Sequence, residues 1–131
     1  MNRSDLQALA RVRAAEAKHL LDGGHYAGAY YLIGYTVECA LKACIAKTVA
    51  RYQFPDRKLA NDSFTHDLTK LLSLANLVGR LDADQKADPL LERSWNIAKN
   101  WSEKSRYEPH TQIEAEELYR SVMDQRHGVF R

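Results

Sequence analysis

Towards the end of the chain, Arg106-Tyr107-Glu108-Pro109-His110 sets an arginine and a histidine with three residues between them. A guanidinium can steady the charge that develops on a phosphate, and an imidazole can move protons near neutral pH. Both residue types needed for phosphodiester chemistry are therefore present. Pro109 interrupts the pair, because it cannot continue a helix and it biases Glu108 away from one. Arg106 and His110 thus cannot share one unbroken helical face. The same segment offers a binding chemistry. Lys99, Lys104 and Arg106 could hold phosphate groups, and Trp101 or Tyr107 could stack on a base. A structural role competes with each of these: Arg106 could pair with Glu38 upstream, and Tyr107 could pack as a hinge for the last helix.

Other reactive residues read more simply. Glu38 and Lys42 stand four apart and can pair on one helical face. His66 falls at a helix start, where positive charge is unfavourable, and reads as a neutral cap or packing residue. Arg120 and His127, with six residues between them, match the negative end of a helix dipole. Cys39 and Cys44 point about 140° apart around one helix, so they can neither bridge each other nor share a metal. They read as small buried apolar residues in a reducing compartment. No zinc spacing and no phosphate-binding glycine loop occurs, and no cofactor is expected beyond a nucleotide ligand.

The element that must position these groups is the stretch Tyr26 to Arg51, YAGAYYLIGYTVECALKACIAKTVAR. Only Glu38 and Lys42 are charged between Ala29 and Ala46. A helix apolar nearly all round is buried among others, while two charges near its middle argue against a bilayer span. Tyr30, Ile33, Val37, Leu41 and Ile45 form one row, and Tyr31, Tyr35, Glu38 and Lys42 a second. Gly34, unfavourable in a helix interior, suggests tight packing.

Around this spine the sequence predicts four more helices. The first opens on a capping box at Ser4-Asp5-Leu6-Gln7 and stops at Asp22-Gly23-Gly24. Another starts near Thr65 or His66, carries Leu68, Leu71, Leu72, Ala75 and Val78 at a 3.6-residue period, and stops at Gly79. Asp82-Ala83-Asp84-Gln85 could cap a short turn. Asp88-Pro89 begins the next helix, with Leu91, Trp95, Ala98 and Trp101 as its stripe. Residues 52–64 and 102–111 read as loops. Thr111-Gln112-Ile113-Glu114 caps the last helix, which Gly128 ends.

The 131 residues suffice for one domain, 1–131, with an ordinary soluble composition of 45% hydrophobic and 27% charged residues. The net charge of +2 confines any nucleic-acid site to a local patch. The first twenty residues carry scattered charge and no apolar run, so a secretory leader is not expected and a cytoplasmic location is.

Three stretches together resemble the HEPN family (higher eukaryotes and prokaryotes nucleotide-binding domain). They are AGAYYLIGYTVECALKACIAK, close to that family's alanine- and tyrosine-rich helix running into E-C-A-L-K-A; FTHDLTKLL, similar to its H-x-L-x-x-L start; and WSEKSRYEP, similar to its R-Y-P segment. The resemblance implies an all-α, up-and-down bundle of four to five helices, usually a homodimer. It also implies several roles: partner of a small nucleotidyltransferase in toxin–antitoxin pairs, nucleotide binding, or metal-independent ribonuclease activity. The last is marked in the family by an arginine and a histidine with four to six residues between them, where this chain has three. The expectation is a non-catalytic module binding a nucleotide or a nucleotidyltransferase, with no membrane partner. The alternatives are a ribonuclease toxin using Arg106 and His110, and a structural homodimer.

Overall fold

A computed structural model describes residues 2–52, 65–124 and 128–129, with the side chains of 48–52 and of 106 outside that description. The expected loop at 52–64 falls almost wholly outside it, as do Arg126 and His127. Among the described residues there are six α-helices, one 3-10 helix and no strand. We number them α1 (Arg3–Asp22), α2 (Tyr26–Tyr52), α3 (Leu68–Leu74), α4 (Val78–Ala87), α5 (Pro89–Ala98) and α6 (Gln112–Met123), with the 3-10 helix at Glu103–Tyr107.

The spine is α2. It packs against α1, α3, the 3-10 helix and α6, and α6 also covers α5. Its row Ile33, Val37, Leu41 and Ile45 is buried with Leu71, Trp95, Leu118 and Val122, each large side chain worth about 1.5–3 kcal/mol on leaving water. Only Gly23 to His25 separate α1 from α2, so the two run antiparallel, and Leu20 meets the Cα face of Gly28. Gly24 makes that turn at φ +82°, in the left-handed region a glycine enters without strain.

Helix ends follow local chemistry, with some shifts from the sequence reading. The capping box of α1 is Asn2 with Asp5, two residues earlier than expected. Asp88 caps α5 with Pro89 in the first turn, and Thr111 with Glu114 boxes α6, both as expected. The third expected helix is instead two. α3 stops after Leu74, where Asn76 takes φ 60°, and α4 then runs through Gly79 and Asp82–Gln85. Asparagine tolerates the left-handed conformation that a helix terminus needs, while a glycine in a first turn costs too little to stop a helix. α6 ends at Met123 with Asp124 as its cap, before Gly128. The segment after α5 holds a 3-10 turn capped by Ser102, whose hydroxyl accepts from the Lys104 backbone N–H at 3.1 Å.

Candidate functional site

The site is built where the 101–110 segment lies on the spine. Trp101, 3% exposed, sits over Gly34 so closely that a Cβ there would fall 2.2 Å from its ring atoms. Gly34 therefore exists as the floor for an indole. The ring also lies 6.0 Å from that of Tyr31, tilted by 33°. Docking this ring brings the 3-10 helix down against α2. The indole Nε1 and the Ser105 hydroxyl are both buried without a hydrogen-bond partner among the described residues.

One turn further along the spine, Glu38 is buried at 2% exposure. A carboxylate so placed needs partners, and among the described residues it has two. Lys42 Nζ lies 3.4 Å from Oε2 on the same helix, and His66 Nδ1 lies 2.8 Å from Oε1. His66 Nε2 in turn lies 3.3 Å from Oε2 of Glu103. Both ring nitrogens face carboxylate oxygens, so an imidazolium can donate on both sides at once. The chain Glu38–His66–Glu103 thus ties the spine, the approach to α3 and the 3-10 helix together. His66 is not the cap read from the sequence. Asp67 caps α3, accepting from the Lys70 N–H at 3.1 Å, and His66 bridges two acids instead. Spacing could not reveal this, because the bonded residues are 28 apart in sequence.

His110 occupies a different place. Its ring stacks on Tyr30 with centroids 3.7 Å apart and planes 11° from parallel. Nδ1 donates to Glu114 Oε2 at 3.1 Å, the side chain is 8% exposed, and Nε2 is buried without a partner among the described residues. That hydrogen bond, followed by those from Thr111, holds the Glu114 carboxyl below its ordinary range. Burial pushes the Tyr30 phenol up. Tyr30 and Glu38 are eight residues apart on α2, about 12 Å of helix, so His110 and the His66 bridge are separate polar centres.

The remaining expected residues divide by exposure. Lys99 and Lys104 are exposed, and Tyr107 is 77% exposed at the end of the 3-10 helix. Trp101 is a core residue whose face is taken by Gly34 and Tyr31, so it offers no platform to a base. The Arg106 side chain, and with it the expected pairing to Glu38, lies outside the described residues. Arg120 lines a groove with Arg93, Glu117 and Asp124. Cys39 is buried as expected, whereas Cys44 is exposed. Burial raises the Cys39 thiol. Among the described residues, no group of three or more His, Cys, Asp or Glu side chains is placed to hold a metal, and no helix is long and apolar enough to cross a membrane.

The HEPN domain family matches residues 5–125, nearly the whole chain. No curated protein and no solved structure gave a significant match. The chain belongs to the HEPN family, whose members are nucleotide-binding and ribonuclease-type modules, and its helical architecture is the one that membership entails.

Proposed function

We propose that this HEPN domain is a non-catalytic binding module, dimeric in solution, whose ligand is a nucleotide or a small nucleotidyltransferase in a toxin–antitoxin-like pair. The observation that carries the reading is the enclosure of His110. Acid–base work on RNA requires a ring nitrogen within about 3 Å of the reacting oxygen. Here one nitrogen is engaged by Glu114 and the other is buried, with the ring face against Tyr30. The nucleotide reading draws on Lys99, Lys104 and Tyr107, two exposed cations and an exposed aromatic ring within nine residues of chain, with Arg106 among them. Trp101 is left out of that set because it is buried.

Two experiments test this. Purified protein incubated with structured and unstructured RNA without metal should leave both intact. Cleavage that disappears in His110→Ala would move the function to the ribonuclease alternative. Calorimetric titration with ATP should give binding that weakens in Lys104→Ala and Tyr107→Ala. Heat absent with ATP, together with no complex on co-expression with a neighbouring nucleotidyltransferase, would leave only the structural homodimer. Light scattering should give about twice the 15.0 kDa chain mass.

A further inference from the structure

Residues of α1 and α2 line an open groove of about 320 Å3 that none of the roles above uses. Between its cations it is lined by the small side chains of Ala10, Ala40 and Ala43, with Gln7 and Cys44 beside them. Its rim carries Arg3, Arg11 and Lys47, all exposed, and among the described residues no Asp or Glu lines it. The charges elsewhere on α1 are treated differently. Arg13 pairs with Glu16, and Lys18 pairs with Asp22. Asp5 accepts from the Asn2 backbone N–H. Among the described residues, Arg3, Arg11 and Lys47 have no carboxylate partner. In a chain whose net charge is only +2, three uncompensated cations around one groove form a local positive field.

The dimensions and chemistry select the occupant. Arg3 and Arg11 are eight residues apart on one face of α1, about 12 Å, which is two turns of an opposing helix. The small side chains between the cations let such a helix approach closely. Its own apolar residues would cover Ala10, Ala40 and Ala43, while acids at four-residue spacing would meet the rim. A single-stranded nucleic acid fits less well. It gains much of its affinity from bases stacked on aromatic rings, and among the described residues no aromatic side chain lines the groove.

We propose that the α1/α2 groove is a docking site for an acidic amphipathic helix of a partner protein. It uses no residue between Lys99 and His110, so it stands independently of the nucleotide reading.

The test uses the full chain and a fluorescein-labelled peptide of about 20 residues, beyond the length at which an isolated helix is marginal in water. The peptide carries glutamates at four-residue spacing on an alanine–leucine background, and a matched peptide carries lysines in their place. The acidic peptide should raise fluorescence anisotropy on titration, and the lysine peptide should not. The double variant Arg11→Glu with Lys47→Glu should weaken acidic-peptide binding by at least about tenfold and should bind the lysine peptide instead. Lys99→Glu with Lys104→Glu should leave acidic-peptide binding unchanged. Circular dichroism checks folding, and if the double reversal unfolds the chain, the single variants Arg11→Gln and Lys47→Gln carry the same comparison. No binding, binding indifferent to Arg11 and Lys47, or displacement of the peptide by oligo-uridine RNA would each overturn the proposal.

Discussion

His66 Nδ1 lies 2.8 Å from Oε1 of Glu38, and this bond joins a surface-facing imidazole to a carboxylate that is 98% buried. Three chain segments distant in sequence are held by it, since the other ring nitrogen reaches Glu103. A hydrogen bond to a charged group contributes about 1.5–3 kcal/mol. His66→Ala should therefore lower the free energy of unfolding by about that amount in urea denaturation. In a Glu38→Gln background the same change should cost less, because the acceptor no longer carries charge. Equal costs in both backgrounds would show that the two side chains are not coupled.

Gly34→Ala pits local preference against packing. Alanine favours helix over glycine by up to about 1 kcal/mol. The new methyl, however, would stand 2.2 Å from the Trp101 ring, which is itself enclosed. Overpacking of this kind typically costs about 1–3 kcal/mol. The variant should be less stable than the parent in urea, with altered tryptophan fluorescence. A more stable variant with an unchanged spectrum would mean that the indole shifts freely.

The two thiols should differ in reactivity. Cys44 is exposed, while Cys39 is buried and its thiol is raised, first by burial. A raised thiol holds less thiolate at neutral pH, and thiolate is the reactive form. Native protein should react with Ellman's reagent rapidly at a single thiol and at both after denaturation. In Cys44→Ser the rapid phase should vanish. A rapid phase that persists would place Cys39 at the surface.

Alkaline stability should depend on Tyr35. Burial first, then Cys39 beside it, pushes its phenol up to about 12. The fold therefore favours the neutral phenol. The stability this contributes is fully present below the unfolded tyrosine value of about 10 and is lost as pH rises through about 12. Tyr30 and Cys39 are shifted in the same direction by burial, so the loss is shared among three groups. Thermal unfolding followed across this range should show a falling midpoint, with a shallower fall in Tyr35→Phe. An identical slope in the two proteins would remove Tyr35 from the titration.

Some short-range patterns were settled by the sequence, although the box expected at Ser4 falls at Asn2 and the stop expected at Gly79 lies inside α4. The Asp88-Pro89 and Thr111–Glu114 caps depend on contacts within three residues, so spacing alone located them. The burial of Ile33, Val37 and Leu41 follows from the 3.6-residue period of an apolar helix, and the choice of α2 as spine follows from its lack of charge. The interior glycine at 34 announced a close approach, but not which side chain makes it. Trp101 comes from 67 residues away, and a choice among partners so distant depends on how helices stack. Tertiary structure decided the candidate site for the same reason. Trp101 and His110 carry groups suited to stacking and proton transfer, and their types gave no sign that one fills the floor over Gly34 and the other lies against Tyr30. His66 reads as a helix cap in isolation, and becomes a bridge only because the fold buries Glu38 where one hydrogen-bonding partner from its own helix, Lys42, leaves the other carboxylate oxygen to be satisfied from across the bundle.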